Sequence, residues 1–517
     1  MDIEQWLMNY RHSDATLLKV SRHWLGGEWR ETADTGEDRV VINPNRGSKL
    51  FNYTTSPATF SSAVEAGDQA LAPVNELSWG ERLEIVRRLG EGLRHKRELF
   101  ARALQIEAGK PAWDAYGEVA NAIAHCQGVV DKGAYLGEAL LAAAEISAWA
   151  PGAKVTLRGL GLSAAYLPFS NPVLTFAIYL SSAVLAGCPL LVVSSGHATL
   201  TTLILGEIAG TLGLPLGGLA LLLGEFKDFR RGLADKRVAS VLFVGSKEHG
   251  EQLQKDAFLQ RKKLMVLQGG SKNSAIIHSS AVLGAAVKAV VYGVCKSAGQ
   301  LPTSTSRVFV EEKILPEFCE LLLASLQNLS IGPCDEMSVS ESNLPLMGPL
   351  ISGRSVERFL RFQTMARREA KVSLLQGKKL SRGGEGGFFV QPGIHLMDKY
   401  NPSSLYQSNM LFAPDCGVYP YGELEEVVDA LGLSGQASSL AFMGEGELLK
   451  AYVPRLQVPN IIINGPTVEL DQYFPFCSRA LLNQAPLWGI GLSLALCSPQ
   501  MLAQAGGGGS EFLDRLF

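Results

Sequence analysis

The 517-residue sequence has few cysteines, and their spacing matches no metal-binding or disulfide pattern. Its eight cysteines include no C-x-x-C pair, and none has a histidine at the spacing of a zinc site. We therefore expect no structural metal and a reducing, cytoplasmic compartment. The first residues, M-D-I-E-Q-W, carry early acids and no apolar run, so we expect no signal peptide.

The sequence also has no excess charge of one sign, since 47 basic residues stand against 50 acidic ones. The net charge of −3 excludes a strongly basic nucleic-acid binder, and we expect no nucleic-acid partner. No P-loop, H-E-x-x-H or G-x-S-x-G motif is present. Apolar residues are plentiful: 47% of the residues are hydrophobic and 19% are charged, which is enough for two or three packed domains.

One long segment contains no formal charge. No Lys, Arg, Asp or Glu occurs from Gly159 to Gly206, and residues 173–193 are apolar over a length that can span a membrane. Asn171-Pro172 and the stretch from Gly187 to Pro189 interrupt this run. The pieces differ in type, because a buried helix precedes a buried parallel strand. We therefore predict the core of a soluble protein and no membrane association.

The order of elements along the chain predicts an α/β fold. Residues 20–56 have the composition of short strands and turns, and residues 57–141 show helical periodicity. From residue 153 to residue 268, strands alternate with helices in a βαβ rhythm. A second α/β block covers residues 272–455, and residues 460–500 return as strand and coil. This rhythm predicts a parallel sheet with helices on both of its faces.

Two glycine motifs are candidates for phosphate binding. G-L-G-L-S-A at 159–164 fits a dinucleotide fingerprint, but the next carboxylate is Glu207, which is too distant to hold a ribose. We interpret this motif as a glycine turn. F-V-G-S-K at 243–247 lies between a predicted strand and a predicted helix, so Gly245 and Ser246 are candidates to face a phosphate at the helix N-terminus. An ordinary βα turn is the alternative.

The C-terminal tail differs from the rest of the chain. Residues 506–510 read G-G-G-G-S, a flexible linker, and a short amphipathic peptide follows. In a helix its apolar residues share one face, which can dock in a partner's groove: Phe512, Leu513, Leu516 and Phe517. An expression tag and a frayed C-terminus are equally compatible with this pattern.

Several spaced motifs resemble the aldehyde dehydrogenase superfamily over about residues 22–500. N-Q-A-P at 483–486 is most similar to the ending of its succinylglutamate-semialdehyde dehydrogenase branch. The matching motifs occur in the family's order: E-A-G-K-P at 107, L-P-F-S-N-P at 167, F-V-G-S at 243, L-Q-G-G-S-K-N-S at 267, S-A-G-Q-L-P-T at 297, L-F-A-P at 411 and F-P-F-C-S at 474.

The resemblance implies a domain organisation. We expect a Rossmann-type cofactor domain with a parallel sheet, a second α/β domain, and a strand-rich bridging region that makes a homodimer or a higher homo-oligomer. The predicted ranges are a lead-in at 1–21, the Rossmann-like, former NAD-binding domain at 22–141 and 161–262, the former catalytic domain at 263–455, the bridging region at 142–160 and 456–500, and the linker and peptide at 501–517.

The sequence departs from the family at its catalytic positions. The family's G-Q-x-C cysteine attacks the aldehyde, but this chain reads G-Q-L-P, and Pro302 has no nucleophile. Cys295 is the nearest sulfur, and we expect it to point elsewhere. The family's general-base glutamate aligns with Gln268, whose amide accepts no proton at neutral pH. The oxyanion asparagine aligns with Ser170, which has a shorter reach.

The family's cofactor contacts are replaced as well. Val193 and Gly196 stand where the resemblance places the lysine and glutamate of the adenosine ribose, and Met410 stands in place of the glutamate at the nicotinamide ribose. Of the cofactor features, only Gly245 and Ser246 remain. We therefore expect no cofactor, with NAD(P) binding as the alternative.

These replacements favour a pseudoenzyme that acts as a scaffold, regulatory or binding subunit and does not catalyse a reaction. Its partners are predicted to be copies of itself, an active paralogue, or a protein docked on the tail. The first alternative is a divergent NAD(P)-dependent aldehyde or semialdehyde oxidoreductase. The second is a small-molecule sensor that uses the old substrate tunnel, lined by neutral groups such as Phe169, Ser170, Gln268 and Met410.

Overall fold

We analysed a computed structural model of the chain. It describes residues 3–11, 18–32, 36–55, 57–133, 137, 153–260, 263–336, 344–381, 386–434, 437–469 and 490–503. The predicted partner-binding tail, including Phe512, Leu513, Leu516 and Phe517, lies outside the described residues, and so do the motifs at 474–478 and 483–486.

The strands are short and mostly buried. In chain order they are β1 Leu18–Val20, β2 Arg22–Leu25, β3 Glu28–Glu31, β4 Glu37–Ile42, β5 Lys49–Thr55, β6 Ala153–Gly159, β7 Leu162–Leu167, β8 Leu190–Ser194, β9 Leu219–Leu223, β10 Val238–Val244, β11 Leu264–Gln268, β12 Asn273–Ile277, β13 Thr305–Glu311, β14 Val372–Leu375, β15 Lys378–Lys379, β16 Val390–Gln391, β17 Gly393–Leu396, β18 Asp415–Tyr421, β19 Ser439–Met443, β20 Asn460–Ile463 and β21 Cys497–Ala503.

The α-helices separate these strands. They are α1 Ile3–Asn9, α2 Pro57–Glu76, α3 Trp79–His95, α4 Arg97–Glu107, α5 Ala112–Asp131, α6 Pro172–Ala186, α7 Thr199–Ala209, α8 Phe226–Gly232, α9 Lys247–Gln260, α10 Leu283–Cys295, α11 Leu315–Gln327, α12 Gly353–Glu369, α13 Leu405–Ser408, α14 Leu424–Ser434, α15 Glu447–Lys450 and α16 Ile490–Ala495.

The first large sheet has the strand order β11-β10-β7-β8-β9-β2-β3. The five strands from β11 to β9 in this order run parallel, and the hairpin β2–β3 pairs antiparallel at the other edge. Strands β8 and β9 are buried at every position, because runs such as L-L-V-V and L-A-L-L-L have both faces covered by helices. The sheet therefore has the Rossmann-type parallel core that the sequence predicted.

The second large sheet has the order β14-β17-β18-β13-β12-β19-β20. It is parallel except for β14, and it has its own apolar core, in which Phe309, Phe318 and Phe442 are buried. Three smaller sheets are β1-β5-β4, β15-β16 and the antiparallel ribbon β21-β6. The predicted fold class, with two α/β domains and additional strands, is confirmed.

The uncharged segment divides as the sequence predicted. Pro172 occupies the first turn of α6, and Gly187 ends that helix with a φ of +82°, in the left-handed region that favours glycine. The chain then enters β8, and both elements are buried. The motif at 159–164 joins β6 to β7 as a turn between strands, as expected. No helix in the described ranges is long and apolar enough to cross a bilayer.

Candidate functional site

A cavity of about 560 Å³ lies between the two large sheets. One wall comes from helices α5 and α6. On α5, Asp114, Gly117 and Asn121 line the cavity at helical spacing. The opposite wall comes from the ends of β10 and β11 and from the turn that follows α10. The cavity thus lies at a junction of two α/β units, which is a common location for ligand sites.

The three predicted catalytic positions meet in this central cavity. Ser170 precedes α6, Gln268 ends β11, and Pro302 lies in the turn after α10, and all three line the cavity. The carbonyl oxygen of Pro302 accepts hydrogen bonds from Asn273 Nδ2 at 2.9 Å and from Ser271 Oγ at 3.2 Å. The side chains at these positions supply a hydroxyl, an amide and a pyrrolidine ring, and none is a nucleophilic thiol or a carboxylate base.

The turn that carries Pro302 has an unusual backbone. Ser297, Ala298 and Gly299 have φ values of 49°, 53° and 70°, which places three successive residues in the left-handed region. Gln300 fixes the turn, because its side chain donates to the carbonyl oxygen of Ser297 at 2.9 Å and accepts from the backbone N–H of Ile351 at 2.9 Å. Backbone strain of this kind concentrates at functional sites.

Cys295 does not substitute for a thiol at position 302. It ends α10 and lines a neighbouring cavity of about 230 Å³, and it is not among the residues that line the central cavity. Burial raises the pKa of its thiol to about 12, so the thiol is protonated at neutral pH. The structure places Cys295 as a buried apolar side chain.

A buried ion pair supports the cavity wall, and sequence reasoning missed it. Lys110 Nζ lies 2.7 Å from Glu118 Oε2, with both side chains almost fully buried, and it donates to Asn171 Oδ1 at 2.8 Å. Glu118 also accepts from the backbone N–H of Val173 at 2.7 Å, at the N-terminus of α6. The pair therefore joins α5, α6 and the segment that carries Ser170.

The predicted phosphate turn has the expected placement. Gly245 and Ser246 lie between β10 and α9, and Ser246 Oγ accepts from the backbone N–H of His249 at 3.2 Å, as an N-cap does. A Cβ at Gly245 would approach the Phe243 ring to 2.4 Å, so the turn requires glycine. The turn thus places Gly245 and Ser246 at the N-terminus of α9, the end of a helix whose dipole favours an anion.

An aromatic cluster stands beside this turn. The rings of Phe226 on α8 and His249 on α9 stack with 4.0 Å between centroids and 16° between planes. The ring of Tyr166, near the end of β7, meets the Phe226 ring edge-on, with 6.0 Å between the ring centroids. Burial lowers the pKa of His249, which favours the uncharged imidazole. Sequence reasoning missed this cluster, because its rings come from separate elements and no local pattern marks them.

The three predicted ribose positions have different surroundings in the structure. Val193 lines a different cavity of about 290 Å³, between α2 and α8. A Cβ at Gly196 would lie 2.9 Å from the Tyr53 hydroxyl, so Tyr53 fills the space beside it. Met410 is buried, and its backbone oxygen accepts from Arg358 at 3.0 Å. Their loss of cofactor contacts stays a prediction. The described residues include no group of three or more His, Cys, Asp or Glu that could hold a metal ion.

Two curated relatives are similar to most of the chain. Malonate-semialdehyde dehydrogenase 2 of Geobacillus thermodenitrificans is 25% identical over 465 residues, which cover 89% of this chain and 93% of the relative. Glutarate-semialdehyde dehydrogenase of Pseudomonas putida is 26% identical over 427 residues, covering 80% of this chain and 83% of the relative.

A solved structure corrects the expectation about the cofactor. Betaine aldehyde dehydrogenase of Staphylococcus aureus is similar with a TM-score of 0.83 and 20% identity, covering 94% of this chain and 97% of that one. That enzyme was solved in complex with NAD+. The expectation of no cofactor is therefore wrong. It rested on the side chains at three positions, Val193, Gly196 and Met410, whereas the similar structure holds NAD+ in a fold of this kind.

A family model also matches the chain. The model described as the aldehyde dehydrogenase family matches residues 29–477, which is most of the chain. It confirms the superfamily that the spaced motifs indicated, and the parallel-sheet architecture agrees with it. This chain belongs to the aldehyde dehydrogenase family.

Proposed function

We propose that this chain is a divergent NAD(P)-binding oxidoreductase of its family, which holds a small aldehyde or semialdehyde in the central cavity without capturing it covalently. One observation carries the proposal: Ser170, Gln268 and Pro302 line a single cavity of about 560 Å³. The shared cavity supports a retained site for an aldehyde, and the predicted replacement of the family's thiol and carboxylate argues against its covalent route.

The relatives support the substrate class. Both curated relatives are named for semialdehydes, malonate semialdehyde and glutarate semialdehyde. We infer a small aldehyde of this kind for the present chain. The narrower assignment to the succinylglutamate-semialdehyde branch stays a prediction, because it depends on residues 483–486, outside the described residues.

The position of Gly245 and Ser246 at the start of α9 supports cofactor binding there, although the predicted ribose contacts differ from the family pattern. Gly245 and Ser246 would hold the pyrophosphate through the N-terminus of α9, and the Phe226–His249 pair offers an aromatic surface next to it. Bound NAD(P) supplies a hydride donor or acceptor at its nicotinamide ring.

The chain's own residues bind the aldehyde through neutral groups. The Ser170 hydroxyl and the Gln268 amide lie in the same cavity and are able to donate hydrogen bonds to a carbonyl oxygen. The Lys110–Glu118 pair fixes Asn171 and the start of α6, and so holds the adjacent Ser170 in place. Apolar side chains at Leu301 and Pro302 border the rest of the site.

A second candidate function keeps the binding but not the chemistry. Since Pro302 and Gln268 supply no nucleophile and no base, we also propose a pseudoenzyme: a scaffold, regulatory or sensing subunit that pairs with copies of itself, an active paralogue or a tail-docked protein. Turnover distinguishes the two candidates. Aldehyde-dependent change of NAD(P) favours the oxidoreductase, and cofactor binding without turnover favours the subunit.

The cofactor claim is tested by isothermal titration of the full chain with NAD+ and NADP+. Ser246→Asp keeps an N-cap side chain but places a negative charge beside the phosphates, whereas Ser246→Asn is a neutral cap of similar size. We expect saturable binding to the unmodified chain and to Ser246→Asn, and binding weaker by about tenfold or more in Ser246→Asp. Absence of binding to the unmodified chain would contradict the proposal.

A further inference from the structure

Asp114 is a buried carboxylate on the wall of the central cavity. It lies in the first turn of α5 and is 1% exposed. One oxygen, Oδ2, accepts from Ser297 Oγ at 2.5 Å, in the strained turn after α10. The other oxygen accepts no hydrogen bond from the residues that the structure describes, and packing does not enclose it. Half of this carboxylate is therefore available to a ligand in the cavity.

The charged groups around Asp114 leave a surplus of one negative charge. Lys110 and Glu118 are buried near it and pair with each other, with 2.7 Å between Lys110 Nζ and Glu118 Oε2. Burial alone lowers the pKa of Lys110, but the charges of Asp114 and Glu118 raise it above its ordinary value. The Ser297 hydroxyl and the N-terminus of α5 stabilise the negative charge of Asp114. Such a carboxylate favours a ligand that donates a hydrogen bond over one that presents only a carbonyl oxygen.

The predicted loss of the thiol and of the general base restricts the form of aldehyde that this cavity can oxidise. An aldehyde carbon must become tetrahedral before it can lose a hydride, and water must be added to give an acid. The hydrate of an aldehyde, a gem-diol, is already tetrahedral and already contains that water. Its oxidation requires a base for one hydroxyl proton but no nucleophile. Pro302 and Gln268 supply neither group, whereas Asp114 supplies a carboxylate on the same cavity wall.

We propose that the central cavity binds the hydrated form of the aldehyde, and that Asp114 is the catalytic base that accepts a proton from one of its hydroxyls. As that O–H bond breaks, its electron pair forms the C=O bond of the carboxylic acid. The hydrogen on the same carbon leaves with its electron pair to NAD(P)+, which is reduced. Ser170 and Gln268 hydrogen-bond the second hydroxyl in this arrangement. The inference deepens the proposed function and rests on it for the cofactor and the aldehyde site.

Two fluorinated ligands test the binding of a hydrate without any cofactor, by fluorine NMR titration of the full chain. Trifluoroacetaldehyde hydrate is a stable gem-diol whose hydroxyls are donors. N,N-Dimethyltrifluoroacetamide has a carbonyl oxygen, does not form a hydrate, and has no donor for a carboxylate. We expect the gem-diol to bind the unmodified chain at least about tenfold more tightly than the amide, since hydrogen bonds to charged groups are the stronger ones.

Matched variants locate the effect. Asp114→Asn should weaken binding of the gem-diol by about tenfold and leave binding of the amide unchanged, and Asp114→Glu should keep most of the preference because the carboxylate remains. Glu469→Gln is the control: it removes an exposed carboxylate from the lining of the same cavity, and it should change neither affinity.

Turnover tests the proton transfer itself. With NAD(P)+ and glutarate semialdehyde, Asp114→Asn should lower the rate of oxidation at least about a hundredfold, which is the usual contribution of a general base. Glu469→Gln should keep the rate of the unmodified chain. An unchanged rate in Asp114→Asn would overturn the role of base. Absence of turnover in the unmodified chain, with the preference for the gem-diol intact, would also overturn it and would favour the binding subunit.

The binding outcomes separate the two proposals. Equal binding of the two ligands, or a preference for the gem-diol that survives in Asp114→Asn, would overturn the role of Asp114 while keeping the cavity as a carbonyl site. Loss of both ligands in Asp114→Asn would also overturn it, because a structural role would then explain the residue. Binding of neither ligand to the unmodified chain would overturn both proposals.

Discussion

At the scale of residues, three neutral side chains line the central cavity at the positions that we predicted to be catalytic. Ser170, Gln268 and Pro302 supply a hydroxyl, an amide and a ring without a nucleophile. The lining also contains three charged side chains, Asp114, Lys296 and Glu469; Asp114 accepts a hydrogen bond from Ser297, and Lys296 donates to the Tyr292 hydroxyl. The three neutral groups favour binding and orientation of a carbonyl compound over proton abstraction or covalent capture.

Buried histidines give the protein an acid-sensitive stability. His23 is 1% exposed; its Nδ1 accepts from the backbone N–H of Leu223 at 3.1 Å, and burial lowers its pKa from 6.5 to about 4. A depressed pKa means that its stabilisation is complete above pH 6.5 and is lost as the pH falls towards 4. We predict that His23 alone removes about 2 kcal/mol from the free energy of unfolding between pH 7 and pH 5.

Urea unfolding at pH 7 and pH 5 measures this effect. His23→Gln should reduce the pH-dependent loss by about 2 kcal/mol, because an amide does not titrate in this range. His95→Gln, at an exposed position on α3, should leave the loss unchanged. An identical loss in the unmodified chain and in His23→Gln would contradict the assignment.

The residue types at the site were predictable, but their contacts were not. The resemblance to the aldehyde dehydrogenase superfamily selected Ser170, Gln268 and Pro302, and the structure brings these residues to one cavity. The Phe226–His249 stack and the Tyr292–Lys296 contact were missed. Phe226 and His249 belong to different helices, so spacing along the chain does not reveal their contact.

At the scale of elements, the turn between α10 and β13 carries the strain of the site. Ser297 and Ala298 hold left-handed φ values although neither is glycine, and Gly299 follows with 70°. A Cβ at Gly299 would lie 2.4 Å from the carbonyl oxygen of Ala413. The backbone of the turn therefore packs directly against the segment that carries Ala413, and only glycine fits at position 299.

Two glycine substitutions, one in this turn and one in α10, should change the free energy of unfolding in opposite directions. Gly299→Ala should lower the free energy of unfolding by about 1–3 kcal/mol, because it adds both a clash and an unfavourable φ. Gly284→Ala, in α10 with nothing within 4 Å of its new Cβ, should raise it by about 0.5–1 kcal/mol. Denaturant unfolding measures both. A Gly299→Ala variant as stable as the unmodified chain would show that the turn relaxes.

The larger elements were more predictable than this turn. Helix α6 and strand β8 follow directly from the apolar run, its breakers and the βαβ rhythm. The left-handed conformation of Ser297 and Ala298 could not be predicted, because tertiary packing imposes it against the local preference of these residues.

At the scale of the whole molecule, one two-stranded ribbon has edges that pair with no other described strand. Strands β6 and β21 form an antiparallel ribbon from Gly159↔Cys497 to Ala153↔Ala503, and neither strand pairs with another sheet among the described strands. A two-stranded ribbon is marginally stable in water, and its open edges favour pairing with another chain. It lies largely within the predicted bridging region, so we expect it to join copies of this chain.

Two truncations separate the ribbon from the tail. A chain that ends at Leu496 keeps the buried Leu492 and Leu496 but loses β21, and we predict that it is a monomer. A chain that ends at Gln504 keeps β21 and loses the predicted tail, and we predict that it remains a dimer or a higher oligomer. Light scattering coupled to size exclusion gives both masses. An oligomer that persists without β21 would contradict the bridging role.

The most direct test of the account is the rate of NAD(P)H formation from glutarate semialdehyde at saturating cofactor, before and after alkylation of the cysteines. The account predicts that alkylation leaves any observed rate unchanged, because position 302 is proline and Cys295 lies outside the central cavity. A burst of NAD(P)H that alkylation abolishes would show covalent capture by a thiol and would contradict the account.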